Sequence, residues 1–195
     1  MNRVIRKLIG WHQAIADRCY TMELRWHGLE LGRGVRAQGR ARIQCFAGRI
    51  VLRDGVILRS RDFGYHTQIT GATKLFTDAE NAVIEIGARC RLNGTTIHAR
   101  ERVQLGEDCY TAAGTTIVDS NGHVADADKR AAGGRDEPRP VIIGNRVWTG
   151  QNVIILKGVT IGNDVIIGAG SVVTSDLPAG TLCAGQPAQV VKELT

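Results

Sequence analysis

Residues 143–178 read IGNRVWTGQNVIILKGVTIGNDVIIGAGSVVTSDLP, and they decide the fold. Steps of six from Ile143 pass through Thr149, Ile155, Ile161, Ile167 and Val173. Every residue in that series is β-branched. Steps of six from Val147 pass through Val153, Val159, Val165, Ser171 and Leu177. Glycine follows the first series at Gly144, Gly150, Gly162 and Gly168. A period of six suits neither a 3.6-residue helix nor one long alternating strand. It suits a chain that turns a corner every six residues, so that three sides make one coil. Hexapeptide periods of this kind signal a parallel β-helix. The expected fold class is an all-β solenoid.

Composition agrees. Only nine of 195 residues are aromatic, whereas Val, Ile and Gly are plentiful, as a narrow β-solenoid core requires. No apolar run approaches the roughly eighteen residues of a spanning helix. The short N-terminal apolar stretch is studded with Arg and Lys, unlike a signal peptide. Five scattered cysteines form no CxxC pair and read as reduced thiols. A cytoplasmic protein is expected, with the inner face of a membrane as an alternative site. Cys90 and Cys109 fall in inward repeat slots, which points to packing. Residues 1–61 hold thirteen Arg and Lys against four acids, a net of +9, and the rest of the chain is net acidic. That excess suits a solvated rim, anionic lipid, an acidic polysaccharide or a phosphorylated ligand. The absence of a basic run with interleaved aromatics argues against nucleic acid.

Residues 3–27 carry Val4, Leu8, Trp11 or His12, Ile15, Cys19, Met22 and Trp26 at three- and four-residue spacing, flanked by Arg3, Arg6, Lys7, Arg18 and Arg25. The spacing predicts an amphipathic α-helix whose apolar stripe packs on the solenoid end or on a neighbouring subunit. Peripheral membrane contact is the alternative. The domain reading is a helix over 1–28, a β-helix over 29–178 and a tail over 179–195. The stretch 45–82 is less regular, and His66 stands there without an evident partner, as an edge residue. Further on, Ile86, Leu92 and His98 step by six and a one-residue slip follows, which predicts a bulge that re-aims His98. Residues 119–140, DSNGHVADADKRAAGGRDEPRP, break the repeat between two regular flanks. They are expected as a functional loop thrown out of one corner.

That loop carries His123. A neutral imidazole suits the removal of a hydroxyl proton near neutral pH. Asp119, Asp126 and Glu137 are the candidate acids for holding its other nitrogen, with Asp119 taken first. His98 is a candidate acceptor contact. The segments Val147-Trp148-Thr149-Gly150, Gly158-Val159-Thr160-Ile161-Gly162, Val165–Val173 and Ala184-Gly185-Gln186-Pro187-Ala188 resemble the hexapeptide-repeat acyltransferases. Asp119-Ser120-Asn121-Gly122-His123 followed by the Trp148 segment is similar to the sugar O-acetyltransferases: galactoside and maltose acetyltransferases and their O-antigen and capsule relatives. The resemblance covers residues 84–193. It implies a left-handed parallel β-helix, a homotrimer with active sites between subunits, acetyl-CoA as donor, no metal, and a sugar or nucleotide-sugar acceptor. It also implies His123 as catalytic base and a backbone oxyanion donor at Gln151. The coenzyme would lie against Trp148, Gly150, Gly168 and Ala169, with Lys192 near its phosphates and Asn93 at the acceptor hydroxyl. Gln186, Gln189 and Thr149 depart from the family pattern, and Thr149 is expected to alter the acceptor end.

The expected function is acetyl transfer from acetyl-CoA to a sugar hydroxyl in surface-polysaccharide assembly. An N-acetyltransferase of an amino sugar, nucleotide sugar or antibiotic is the alternative with the same chemistry. A metal-dependent hexapeptide protein would need three converging imidazoles, and His66, His98 and His123 lack that spacing. A scaffold without activity is the remaining reading.

Overall fold

The computed structural model describes the backbone of residues 3–194 and the side chains of residues 10–194. After a helix α1 (Arg3–Trp26), the chain winds through successive coils of three short strands. The first coil is β1 (Glu30–Leu31), β2 (Arg36–Gln38) and β3 (Arg42–Cys45). The second is β4 (Arg49–Leu52), β5 (Ile57–Arg59) and β6 (Lys74–Thr77). The third is β7 (Val83–Ile86), β8 (Arg91–Asn93) and β9 (Thr96–Ala99), and the fourth β10 (Arg102–Leu105), β11 (Tyr110–Thr111) and β12 (Thr116–Val118). A short helix α2 (Ala127–Ala131) lies in the loop that follows. The fifth coil is β13 (Val141–Ile143), β14 (Trp148–Thr149) and β15 (Ile154–Ile155), and the sixth β16 (Thr160–Ile161), β17 (Ile166–Ile167) and β18 (Val172–Val173). The chain closes with β19 (Thr181–Gly185) and β20 (Ala188–Glu193).

Each strand pairs in parallel with its counterpart one coil away, giving three long faces. Face A begins with β1, face B with β2 and face C with β3. The fold is the left-handed parallel β-helix. The repeat explains the core: Ile143, Thr149, Ile155, Ile161, Ile167 and Val173 all point inward and are buried. Face B runs past residue 178, because β19 pairs with β17 before β20 folds back antiparallel on it.

One corner of the coil places non-glycine residues in the left-handed backbone region: Arg89, Asp108, Arg146 and Asp164, at φ of 55° to 61°. That conformation is costly without glycine. Ion pairs between successive coils join these residues, Arg89 with Asp108 at 2.7 Å and Arg146 with Asp164 at 2.6 Å.

Two expectations are corrected here. Of the two packings expected for the apolar stripe of α1, the one on the solenoid end is corrected: within the chain the stripe faces outward, with Trp11 76% and Trp26 82% exposed and Ile15, Cys19 and Met22 exposed too. Val4, Leu8, Arg3, Arg6 and Lys7 lie outside the described side chains. The helix attaches by its opposite face, where Leu24 is buried in the core, Tyr20 packs against that core and two polar side chains make hydrogen bonds. Thr21 Oγ1 accepts from Ala37 N at 2.9 Å and Asp17 Oδ1 from Gly39 N at 3.0 Å. β2 is the edge strand of face B, and an unpaired edge N–H needs an acceptor. The second correction concerns the slip. Leu92 is followed inward by Ile97, five residues on, because the corner at Gly94 is one residue short. Ile97 takes the core slot, and His98 is an outward residue of a regular strand rather than a bulge.

Candidate functional site

A cavity of about 550 Å³ opens on the outer side of face B. Strand side chains alternate in and out, so the column Arg36, Ile57, Arg91, Tyr110 and Trp148 forms its floor. Residues 60–73 leave the coil between β5 and β6 and bring Tyr65 and His66 to its wall. Arg59 holds this loop by donating to Gly64 O at 3.2 Å, with its guanidinium 5.5 Å from the Tyr65 ring centre. Gln151 Nε2 donates to Thr67 Oγ1 in the same loop. Burial, then the charge of Arg61, holds the Arg59 guanidinium below its usual pKa.

Trp148, Gly150, Gln151 and Asn93, expected from sequence to serve two different ligands, line this one cavity. Asn93 Nδ2 donates to Thr111 O at 2.7 Å, which fixes its amide. Gly150 is required by stacking: a Cβ there would sit 2.5 Å from Ala169 N. Gly150 N donates to Ile167 O and Asn152 N to Ala113 O, while Gln151 N between them makes no hydrogen bond among the described residues. Ala113 N and Ala169 N, at the equivalent turns one coil either side, are likewise uncommitted. The three amides form a column of free donors along the corner between faces B and C. Lys192 stands beyond the last coil on β20, beside Leu182, and does not line the cavity. Thr149 points into the core, its hydroxyl 2.9 Å from that of Thr115, so it shapes no acceptor surface.

The other expected residues lie elsewhere. His123 is exposed on the loop between β12 and β13, and no residue of 119–140 lines the cavity. Asp119 is fully buried at the root of that loop. Its carboxylate accepts from the amides of Arg100, Glu101 and Arg102 at 2.7–2.9 Å, and no hydrogen bond joins it to His123. The Asp119 assignment to an orienting role is therefore corrected to one of bracing the loop. Asp126 caps α2 by accepting from Lys129 N at 2.9 Å. His98 stacks on Phe76 with ring centres 4.5 Å apart, and its Nε2 is 3.2 Å from Asp78 Oδ1. Arg135 of the loop reaches the other Asp78 oxygen at 3.2 Å. His98 thus belongs to the face C surface beneath the loop, apart from the cavity. Asp136 pairs with Lys157, whose ammonium holds the carboxyl below its ordinary value. Among the described residues no group of three or more His, Cys, Asp or Glu could hold a metal.

Cys90 and Cys109 are buried free thiols. Cys90 Sγ donates to Gly106 O at 3.0 Å, and the Cys109 sulfur and burial push its thiol pKa up, so it stays protonated. The residues that sequence reasoning missed are Tyr65, His66, Arg36, Arg59 and Arg91. The sign that picked out His123, an interruption of the repeat, also applied to residues 60–73.

Residues 140–175 match the family described as bacterial transferase hexapeptide (six repeats). The match falls on the fifth and sixth coils, β13 to β18. The chain is 39% identical to the galactoside O-acetyltransferase of Escherichia coli K12 over 92 residues, 47% of this chain and 44% of that one. It is 38% identical over 100 residues to the putative lipopolysaccharide biosynthesis O-acetyl transferase WbbJ of the same organism, 48% of this chain and 51% of that one. Among solved structures it resembles the Vibrio cholerae hexapeptide-repeat acetyltransferase VCA0836 complexed with acetyl coenzyme A. There the TM-score is 0.54 and the identity 31%, over 57% of this chain and 61% of that one. The chain spans about half the length of the curated relatives it matches.

Proposed function

We propose that this protein is an acetyl-CoA-dependent O-acetyltransferase that acts on a sugar hydroxyl in surface-polysaccharide assembly. The observation that carries the reading is the meeting of Trp148, Gly150, Gln151 and Asn93 in one cavity, the first three of them on coils that match a transferase repeat. The free amides at Gln151 and Ala169 support the donor assignment, since a pantetheine arm presents amide carbonyls that need such donors. The arm runs from Trp148 past Gly150, Gly168 and Ala169 towards Lys192.

In the proposed reaction His123 takes the proton of the acceptor hydroxyl as its oxygen attacks the thioester carbonyl. The carbonyl oxygen becomes an oxyanion, which Gln151 N–H stabilises. Collapse of the intermediate breaks the carbon–sulfur bond, and His123 returns the proton to the leaving thiolate. His123 leaves the coil at the C–A corner, whereas Trp148 lies on face B. A homotrimer that sets one chain's loop beside its neighbour's face B closes the gap. The test is CoA release from acetyl-CoA with a panel of sugar, amino-sugar and nucleotide-sugar acceptors. Wild type should transfer acetyl, and His123→Ala should lose about 10²-fold or more in rate while still binding acetyl-CoA. Equal rates would exclude His123 as base, and transfer only to amines would make the enzyme an N-acetyltransferase.

The outward stripe of α1 supports peripheral contact with an anionic membrane face. Trp11, Ile15, Met22 and Trp26 are exposed on it, beside the exposed cations Arg18 and Arg25. No described helix is long and apolar enough to cross a membrane. Co-sedimentation with phosphatidylglycerol vesicles, but not with neutral ones, is the expected result. Loss of that binding in Trp11→Ser/Trp26→Ser would locate it on the stripe.

A further inference from the structure

Arginine is abundant on this surface, and the fold pairs much of it. At the corner between faces A and B, Arg33 meets Asp54 at 3.1 Å, Arg89 meets Asp108 and Arg146 meets Asp164. Around the cavity the rule breaks. Arg36, Arg59 and Arg91 make no ion pair among the described residues, and the cavity lining contains no Asp or Glu. Aromatic faces hold two of them in place without neutralising them: Arg59 over Tyr65, and Arg91 5.4 Å from the Tyr110 ring centre. Arg36 and Arg91 stand two strands apart in one column, about 10 Å at the usual strand spacing. Arg59 sits on the strand between them. Like charges gathered this closely repel one another, and the half-buried Arg59 is also partly desolvated. A bound anion relieves both costs, and planar guanidinium forks match the oxygen pairs of phosphate and carboxylate.

Resting on the acyltransferase reading, we infer that the acceptor carries an anionic group, phosphate or carboxylate, and that Arg36, Arg59 and Arg91 bind it in the cavity on face B. The donor lies on the other side of Trp148. Its groove runs towards Gly168 and Ala169, whereas the arginines run from Trp148 towards the first coil. The acceptor hydroxyl then sits at Trp148 and Asn93, and its charged part reaches down the column. A neutral glycoside would leave three cations uncompensated, so charge becomes the selecting feature.

The experiment is isothermal titration of the full chain with inorganic pyrophosphate, D-glucuronate, neutral methyl β-D-galactoside and CoA. Wild type is compared with Arg36→Gln/Arg91→Gln; those two side chains are exposed and make no hydrogen bond among the described residues, so the double variant should fold. Arg59→Gln, with its melting temperature measured, is the second variant. The expected result is binding of at least one of the two anions in preference to the galactoside, weakened tenfold or more by the double substitution. CoA affinity should stay within twofold, and saturating CoA should leave anion binding intact. Stronger pyrophosphate binding would identify a phosphorylated acceptor, and stronger glucuronate binding an acidic sugar. The inference fails if neither anion outbinds the galactoside, if the arginine variants bind anions like wild type, or if CoA displaces the anion. In the last case the arginines serve the donor. Failure of CoA to bind wild type at all would remove the acyltransferase reading and leave the anion site standing on its own titration.

Discussion

Asp119 and Gln151 show how a residue's role depends on what its neighbours already satisfy. Asp119 lies four residues from His123, which makes it the natural orienting acid on paper. Its oxygens are instead taken by three backbone amides of the adjoining turn. Asp119→Ala should therefore cost at least about 2 kcal/mol of stability, because it strands buried donors. The fraction of protein that stays folded should keep the wild-type pH profile of the proposed acetyl transfer; a changed profile would return Asp119 to the chemistry. Gln151 is the reverse case: its side chain tethers a loop, and its amide is the free one. A second prediction concerns the corner carboxylates. The Arg89 guanidinium holds Asp108, and that of Arg146 holds Asp164, below the ordinary value of 3.8. A depressed folded-state pKa contributes stability that is present above 3.8 and lost as pH falls through the folded value. Asp108→Asn/Asp164→Asn should thus have a lower urea midpoint than wild type at pH 7. The gap should close on acidification below pH 3.8; a gap that widens in acid would contradict the assignment.

At the scale of elements, α1 and the two loops carry what the repeat does not. The period of α1 predicts a helix, and a helix forms over Arg3–Trp26. Which face turns inward depended on Leu24, which joins the core, and on the edge strand β2, whose amides require acceptors. Asp17 and Thr21 supply them, and Asp17 is further clamped by Arg61 at 2.6 and 2.7 Å. Asp17→Ala/Thr21→Val should lower stability by about 1–3 kcal/mol. Trp11→Ser/Trp26→Ser should leave it within about 0.5 kcal/mol, since exposed positions contribute little. A thermal melt of the two variants checks the inverted orientation directly. Residues 119–140 are braced by Asp119, Arg135, Asp136 and Arg139, through Arg139 N to Asp119 O at 2.8 Å among other contacts. Only the segment bearing His123 and α2 is left projecting. Residues 60–73 are braced by Arg59 and Gln151 against the cavity.

At the scale of the whole molecule, the proposed base and the proposed thioester site stand on different sides of a triangular rod. If one chain's loop completes its neighbour's cavity, mixed trimers can complement. Co-refolding His123→Ala with Trp148→Ala chains in equal amounts should restore intact sites at about a quarter of wild-type number, given random closed assembly. Either variant refolded alone should stay inactive, and a mixture as inactive as both parents would place the site within one chain. The coils were legible in the sequence because a solenoid repeats one local rule. Ile143, Val147 and their successors each reach the core by the same six-residue step. His98 and Thr149 were misread where that rule failed or was ignored. A short corner at Gly94 moved the core slot to Ile97, and Thr149 obeyed the repeat and turned inward. The cavity was not legible in this way. Arg36, Arg59 and Arg91 are 23 and 32 residues apart, and nothing in their spacing marks them as neighbours. By itself the sequence determined the coil, its inward residues over 143–178 and the loop at 119–140 that interrupts it, because these follow from local periodicity. Only the tertiary structure decided that three arginines, Asn93, Trp148 and a distant loop share one cavity. Stacking coils brings together residues far apart in the chain, and which cations stay unpaired depends on neighbours that local periodicity does not specify.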